Sequence, residues 1–318
     1  MGSKIIDLLF VNKYFTIKYI TKHLKFEFNR ILLPDIIGEK LNSHVASIFP
    51  NVDYYGYTGY KPNFNEIIDK VDKNTLIYFK EIYGHLSDKN IFKLSKKAGL
   101  VINDIPFCFM DFMNISSDIY NLITIGDIFI KCKYTSASFA VFSKGLLDIM
   151  PYGNLQRSDR NMDFAIADFI YRKIPFISNM VKGLRNIIDE NTLKMKNGDK
   201  ERLPKNLENQ LSKMNFEIYK NKLISFNSYA KRNFNNKHIY LMMKDNCIYT
   251  YLILLVRDKE KLTEYLKSSN IESIDYFDYD IPLNAISKKA NNEIVLIPFG
   301  LYYNQNDIRY IIEVLNKW

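Results

Sequence analysis

The chain has 318 residues, of which 47% are hydrophobic and 25% are charged. This length suffices for two domains with large hydrophobic cores, and the composition is that of a folded globular protein rather than a disordered one. The formal net charge of +9 comes from Lys and Arg residues that are spread among acidic residues. Because nucleic-acid-binding surfaces cluster their basic residues, we expect no nucleic-acid partner, although a modest basic bias suits an anionic small molecule.

Three further classes of protein are disfavoured by the sequence. Its cysteines, Cys108, Cys132 and Cys247, form no CxxC pair, which favours reduced thiols in a cytoplasmic protein over a disulfide scaffold. The four histidines show no metal-ligand spacing, so we expect no metal site. The longest apolar stretches fall short of the roughly 20 residues that span a bilayer, and we expect neither a signal peptide nor membrane association.

Short apolar segments alternate with helical patterns through the first hundred residues. In chain order, these patterns predict a helix over 14–24, a strand over 30–34, a helix over 41–48, a strand over 52–55, a helix over 64–71, a strand over 75–83, a helix over 88–98 and a strand over 100–103. The strands are apolar throughout, as they are in a parallel sheet that helices cover on both faces. The predicted fold class is therefore α/β, with a mostly parallel central sheet made of βαβ units.

The rest of the chain predicts a second, smaller unit. Strands are predicted over 125–133 and within 140–150, followed by a helical region over 158–188 and an exposed polar connection over 189–208. After these come a helix over 215–234, strands over 248–256, 271–277 and 293–298, and helices over 258–268 and 305–318. This order predicts a large α/β domain over residues 1–210 and a smaller C-terminal α+β domain over residues 211–318.

Asp104 is the first candidate for chemistry, because it follows the apolar strand over 100–103. Open α/β sheets bind ligands in the crevice at the carboxyl ends of their strands. A carboxylate held there could keep a cationic ring nitrogen protonated by pairing with it. The alternative is a structural role, in which an acid at a strand end caps the following loop.

Lys133 and Thr135 are the second candidates. If the strand over 125–133 continues, their side chains point to the same side, because residues two apart on a strand share a face. A lysine buried there could have a lowered pKa and form a Schiff base with a carbonyl. The alternative is a lysine at a strand end that extends its amine into solvent.

Phosphate-binding loops rich in glycine are absent. The sequence contains no GxGxxG, no GxxxxGK[ST] and no GxSxG, and it has only 12 glycines. A phosphate would therefore have to be held at a helix N-terminus. The segment Val11–Tyr14, which enters the first predicted helix, is the best-placed candidate.

The order and spacing of several segments resemble those of the DegT-type sugar aminotransferases, a fold type I family that depends on pyridoxal phosphate. The segments that carry the resemblance are FVNKYFTIKYI, ILLPDIIGEKLNSHVASI, NVDYYGY, TLIYFKEIYG, IFKLSKKAGLVINDI, GDIFIKCKYTSASFAVFSKGLL, YLILLVRDKEKLTEYLKSSNIES and EIVLIPFGLYYNQNDIRYIIEVL. Each motif is loose, but together they cover nearly the whole chain. The resemblance implies the fold type I architecture, pyridoxal phosphate as cofactor, a sugar nucleotide as substrate and a homodimer.

The resemblance also assigns roles to single residues. Asp104 falls on the acid that pairs with the pyridine nitrogen, and Cys132 falls on a serine of the family. The position of the Schiff-base lysine falls on Thr135, and threonine cannot form a Schiff base. Lys133 on the same face, or Lys144 on the neighbouring strand, could substitute for it.

The resemblance also implies a changed phosphate loop, because Asn12, Lys13 and Tyr14 stand where the family has its Ser-Gly-Thr loop. Two hypotheses follow. The chain is either a divergent aminotransferase of surface-polysaccharide biosynthesis that uses Lys133, or a lysine-less homologue that binds a sugar nucleotide or acts as a scaffold.

Overall fold

The structure is a computed structural model of the 318-residue chain. It describes residues 8–10, 13–24, 28–37, 39–58, 61–80, 88–105, 121–129, 136–143, 215–243, 247–271, 273–275, 292–299 and 303–318.

The first part of the described chain alternates strands with helices, as the sequence predicts. Its elements are β1 (Leu8–Phe10), α1 (Lys13–Leu24), β2 (Arg30–Pro34), α2 (Glu39–Ala46), β3 (Asn51–Tyr55), β4 (Tyr57–Thr58), β5 (Lys61–Pro62), α3 (Phe64–Lys70), β6 (Thr75–Lys80), α4 (Asp88–Lys97), β7 (Leu100–Ile105), β8 (Leu122–Phe129) and β9 (Ser136–Phe142). The strands β4 and β5 form a small antiparallel pair of their own.

Seven strands form the central sheet, in the order β1-β9-β8-β7-β6-β2-β3. The five strands from β3 to β8 in this order are parallel to their neighbours, whereas β9 is antiparallel to β8 and β1 is antiparallel to β9. The chain moves one way from β2 to β3 and then returns past β2 to β6. Such a reversal opens a crevice at the carboxyl ends of the two strands involved.

Helices cover this sheet because its strands are apolar on both faces. All six residues of β7 are buried, as are the last four of β2. The helices α3 and α4 pack on one face in a hydrophobic cluster with Ile77, Phe79 and Val101. Since parallel strands are joined by right-handed crossovers, the reversal at β2 places α2 on the opposite face, and α1 contacts α2.

The second part of the described chain forms a four-stranded antiparallel sheet, β10-β11-β13-β12, with three helices. Its elements are α5 (Phe216–Asn233), β10 (Ile239–Leu241), β11 (Tyr251–Val256), α6 (Lys259–Ser268), β12 (Ile274–Asp275), β13 (Ile294–Pro298) and α7 (Gln305–Lys317). A polar side chain caps the N-terminus of each of these helices. Asn215 caps α5, Asp258 caps α6, and Asn304 forms a capping box with Asp307 at α7.

The smaller sheet is buried on both faces. On one face, Leu252, Leu254 and Val295 pack against α5, α6 and α7. On the other face, Tyr251 and Ile253 belong to the same hydrophobic cluster as α3 and α4 of the larger unit. The two units therefore share one hydrophobic core, and the boundary between residues 210 and 211 stays a prediction.

Several predicted elements differ from the observed ones. The strand predicted over 125–133 begins at Leu122, because Leu122 already pairs with Val101 of β7. The strand predicted over 271–277 is only Ile274–Asp275 in the described residues. The strands β1 and β10 were not predicted, since three residues are too few for a periodic pattern. The region 158–188 and the connection 189–208 lie outside the described residues. None of the helices in the described ranges is long and apolar enough to cross a membrane.

Asn227 of α5 joins its helix to the smaller sheet through buried hydrogen bonds. Its side-chain carbonyl accepts from the backbone N–H of Tyr249 at 2.8 Å, and its amide nitrogen donates to the Tyr249 carbonyl at 2.9 Å. The amide also donates to the carbonyl of Leu223 at 2.7 Å. One side chain thus satisfies both backbone groups of Tyr249, which lies two residues before β11.

Replacing Asn227 by Ala should lower the free energy of unfolding by roughly 2–4 kcal/mol, because each buried backbone group left without a partner costs roughly 1–3 kcal/mol. Urea denaturation followed by circular dichroism measures this change. The matched control is Asn233→Ala, since Asn233 is exposed on the same helix and its side-chain amide donates to the carbonyl of Tyr229. This substitution should change the free energy of unfolding by about 0.5 kcal/mol or less. Equal effects of the two substitutions would contradict this role of Asn227.

Candidate functional site at the carboxyl ends of the parallel strands

Asp104 lies at the carboxyl end of β7, in the interior of the central sheet. It pairs in register with Lys80 of β6 on one side and with Ile125 of β8 on the other. Its side chain is 0% exposed. A carboxyl group that is removed from water in this way needs hydrogen-bond donors or a cation to compensate for its lost hydration.

Tyr78 of β6 supplies one such donor. Its hydroxyl donates to Oδ2 of Asp104 at 2.5 Å. Tyr78 pairs in register with Ile102, two residues before Asp104 on the same strand. Both side chains therefore lie on the same face of the sheet, opposite to the face that α3 and α4 cover. Tyr78 is itself buried, so the hydrogen bond forms away from solvent.

Two more tyrosines form hydrogen bonds with backbone groups at the carboxyl end of β6. The pairing of β2 with β6 stops at Leu32 and Ile77, and Pro34 at the end of β2 has no N–H to donate. In place of a strand partner, the Tyr55 hydroxyl donates to the carbonyl of Tyr78 at 3.2 Å and accepts from the N–H of Lys80 at 2.9 Å. The Tyr57 hydroxyl donates to the carbonyl of Lys80 at 2.5 Å.

The Tyr55 hydroxyl is held in its neutral form. Burial raises its pKa well above the ordinary value for tyrosine, and the carboxylates of Asp104 and Asp35 raise it further, although hydrogen bonds oppose this shift in part. Asp35 follows β2 directly, and its N–H donates to the carbonyl of Tyr55 at 3.0 Å. At the carboxyl ends of strands β2 to β7, the carboxyl groups of Asp35 and Asp104 thus lie near the neutral hydroxyl of Tyr55.

The opposite face of the same strands carries a second polar pair. Asn103 of β7 and Thr124 of β8 are in register and are both buried. Among the described residues, the hydroxyl of Thr124 has no hydrogen-bond partner. No group of three or more His, Cys, Asp or Glu side chains in the described part of the chain could hold a metal ion.

The predicted site residues are described only in part. Asp104 lies at the strand end where the sequence places it. Lys13 is the first residue of α1. The predicted residues Asn12, Cys132, Lys133, Thr135 and Lys144 lie outside the described residues. Whether any lysine approaches Asp104 therefore stays a prediction.

The tyrosines around Asp104 were not predicted from the sequence. A signal for Tyr78 existed, because it stands between the apolar residues Ile77 and Phe79 of a predicted buried strand, and a buried tyrosine usually finds a partner for its hydroxyl. The sequence alone cannot name that partner, because the partner of Tyr78 lies 26 residues away on the neighbouring strand.

No protein-family profile matches the sequence, and no curated protein matches it. Solved structures do match across 98% of the chain. The sugar aminotransferase CalS13 from Micromonospora echinospora is 12% identical, with a TM-score of 0.56 over 87% of its own chain. The sugar aminotransferase Spr1654 from Streptococcus pneumoniae, in its PMP form, is 9% identical, with a TM-score of 0.62 over 86% of its chain. A DegT DnrJ EryC1 StrS aminotransferase from Brucella abortus is 11% identical, with a TM-score of 0.55 over 86% of its chain.

The chain has the fold of the sugar aminotransferases. This confirms the α/β fold class with its mostly parallel sheet, and it confirms the resemblance to DegT-type proteins. Because identities this low concern architecture alone, the chemistry of this aminotransferase-like chain must be argued from its own residues.

Pyridoxal phosphate is the cofactor that this fold implies, since the Streptococcus pneumoniae protein was solved in PLP and PMP forms. Its ring nitrogen would have to reach the carboxyl group of Asp104, which is 0% exposed and already accepts the Tyr78 hydroxyl. The Tyr78 hydroxyl occupies Oδ2 of this carboxyl group, so Oδ1 is the oxygen that would accept a hydrogen bond from a ring N–H.

Replacing Tyr55 by Phe should lower the free energy of unfolding by roughly 1–3 kcal/mol, because it removes the partner of two backbone groups at the end of β6. Thermal or urea unfolding of the purified variant measures the change. Tyr54→Phe is the control, since Tyr54 is next in sequence but exposed, and its hydroxyl donates to Asn42 on the surface. An unchanged stability of Tyr55→Phe would show that the phenol does not support this strand end.

Proposed function

We propose that this chain is a divergent DegT-type aminotransferase-like protein of sugar-nucleotide metabolism, linked to surface-polysaccharide biosynthesis, with a degenerate cofactor site. The observation that carries the proposal is the match of 98% of the chain to sugar aminotransferases. Asp104 stands at the carboxyl end of an interior parallel strand, where open α/β sheets place ligands.

Three features support a degenerate cofactor site. Thr135 stands where the family has its Schiff-base lysine, and a hydroxyl cannot make that bond. Asn12, Lys13 and Tyr14 stand in place of the family's phosphate-binding loop. The carboxyl group of Asp104 is enclosed and hydrogen-bonded to Tyr78. On this proposal, the covalent and the ionic anchors of the cofactor are both weakened.

A second candidate function is a lysine-less binding or scaffolding protein that takes a sugar nucleotide without transferring an amino group. The Tyr78 hydroxyl on Asp104 favours it, because the carboxyl group then has a partner within the protein. Both candidates share the ligand class, and the basic balance of the chain suits a diphosphate. On both proposals, the protein is a homodimer and is located in the cytoplasm.

The absorption spectrum with saturating pyridoxal phosphate separates the two candidates. We expect no visible Schiff-base band in stoichiometric amount, because Thr135 cannot form one. Borohydride reduction followed by peptide mass spectrometry locates any lysine that does react, and Lys96→Ala serves as the control for reaction at an exposed helix lysine. A stoichiometric band that Lys133→Ala or Lys144→Ala abolishes, but Lys96→Ala leaves, would establish the aminotransferase and a lysine in a new position.

Sugar nucleotides should bind the wild-type protein on either candidate function. We expect a uridine diphosphate hexose or a thymidine diphosphate hexose to raise the melting temperature, since a ligand at about 100 times its Kd stabilises the folded state by roughly 2.7 kcal/mol. Differential scanning fluorimetry measures the shift, with the free hexose and the nucleoside diphosphate as controls. No shift with any nucleotide sugar at millimolar concentration would contradict the proposed ligand class.

A further inference from the structure

We propose that the exposed side of α4, together with the turn beside its C-terminal end, binds the surface of an anionic phospholipid bilayer. This surface is the lysine face, which consists of Lys73, Phe92, Lys93, Lys96 and Lys97. The inference goes beyond the proposed function and does not depend on it. It concerns contact with lipid headgroups, and it therefore revises the expectation of no membrane association, which was drawn from apolar segments too short to span a bilayer.

Helix α4 has a buried side and a basic side. Its buried residues Ile91, Leu94 and Ala98 belong to the hydrophobic cluster that includes the central sheet. The exposed residues that alternate with them are Phe92, Lys93, Lys96 and Lys97. At 3.6 residues per turn, these four residues fall within about 140° of the helix circumference, opposite to the buried side. The sheet therefore fixes this helix with its lysines directed outward.

The turn before β6 places a fourth lysine next to the helix. The N–H of Gly99, directly after α4, donates to the carbonyl of Asp72 at 3.1 Å and to that of Thr75 at 3.0 Å. A Cβ atom on Gly99 would clash with the carbonyl oxygen of Lys73, so the turn packs tightly against the end of the helix. Lys73 is exposed there, and it extends the basic surface beyond the helix itself.

The amines of the lysine face are not neutralised by ion pairs. In the described part of the chain, no carboxylate lies within 4.0 Å of the amines of Lys73, Lys93 or Lys96. Two exposed acids adjoin the face, Asp69 on α3 and Asp72 on the turn, and neither forms an ion pair within that distance with another described residue. The face therefore keeps an excess of positive charge.

Phe92 gives this basic surface an apolar component. Its side chain is 39% exposed, and Nζ of Lys96 lies 4.0 Å from the centroid of its ring. The helix dipole favours lysines in the last turn of a helix, but it gives no reason for an exposed phenylalanine one turn earlier. Aromatic rings and lysine side chains together suit the headgroup level of a bilayer, where the ring enters the apolar boundary and the amines stay with the phosphates.

The absence of arginine from the lysine face favours a bilayer over a protein or a nucleic acid. Protein interfaces are enriched in arginine and depleted in lysine. Surfaces that bind single-stranded nucleic acids stack successive bases on several aromatic rings, whereas this face has only Phe92. Lysine is a flexible point charge without a fixed hydrogen-bonding geometry, which suits a fluid array of anionic headgroups.

Cosedimentation of the full chain with lipid vesicles tests the inference. We expect binding to vesicles of phosphatidylcholine mixed with phosphatidylglycerol, weaker binding at high salt because salt screens exposed charges, and little binding to phosphatidylcholine alone. Lys93→Gln combined with Lys96→Gln should lower the partition coefficient about 25-fold, since each lysine near an anionic surface contributes about fivefold. Its melting temperature should equal that of the wild type, because both side chains are exposed.

The matched control is Lys267→Gln combined with Lys317→Gln. These two lysines are exposed on α6 and α7 of the smaller unit, and their replacement changes the net charge by the same amount. We expect a change in partition coefficient of twofold or less. Equal losses in the two double variants would overturn the inference, because the total charge of the chain would then govern binding. Retention on poly-glutamate or on single-stranded DNA, without binding to the anionic vesicles at low salt, would also overturn it.

Fluorescence shows whether the ring at position 92 enters the bilayer. Trp318 is the only tryptophan of the chain, so Phe92→Trp combined with Trp318→Phe carries a single probe at this position. We expect its emission to shift to shorter wavelength when phosphatidylglycerol vesicles are added, whereas Trp318 in the wild type should not respond. An unchanged emission from position 92 on vesicle-bound protein would contradict contact through the lysine face. None of these measurements involves a sugar nucleotide or pyridoxal phosphate, so this inference and the proposed function can fail separately.

Discussion

On the side that faces β2, the end of β6 is held by tyrosine hydroxyls rather than by strand pairing, whereas β7 pairs with it on the other side. The geometry of the candidate site depends on these hydroxyls. Pairing with β2 stops at Leu32 and Ile77, and Pro34 cannot donate a hydrogen bond. The backbone groups of Tyr78 and Lys80 would be left without partners there, which buried backbone rarely tolerates. The hydroxyls of Tyr55 and Tyr57 fill these positions. Two tyrosine hydroxyls therefore lie beside the point where the strand order reverses.

A shared hydrophobic core links this edge to the rest of the molecule. Tyr55 and Phe79 belong to the same cluster as Tyr251 and Ile253 of the smaller sheet, and the rings of Tyr55 and Phe79 are stacked with centroids 6.2 Å apart. Because close-packed interiors transmit small displacements, the position of the smaller sheet and the position of the Tyr55 hydroxyl are coupled. The smaller unit therefore contributes to the shape of the candidate site through this apolar packing.

The alternation of apolar strands and helices was predictable because burial on both faces leaves a strong pattern in the sequence, and β2, β6 and β7 were placed within a few residues. Asp104 was predictable as an acid at a strand end for the same reason. The short strands β1 and β10 were not, because their existence depends on a partner strand distant in sequence. The partner of Tyr78 was not predictable either, since register between two strands decides it. The roles of Lys133 and Thr135 stay predictions.

The Tyr78–Asp104 hydrogen bond also lowers the cost of burying a carboxyl group in the sheet. A buried carboxylate that depended on an external ring for its hydrogen bond would be left unsatisfied whenever the ring was absent, at a cost of roughly 1–3 kcal/mol or more. Against a typical net stability of about 5–15 kcal/mol, that penalty is large. A phenol on the adjacent strand lowers this cost at Oδ2 of Asp104 and still adds to the apolar packing of the strands, because the tyrosine ring is itself apolar. The strand end therefore keeps a hydrogen-bond donor for its buried carboxyl group from within the sheet, whether or not a ligand is bound.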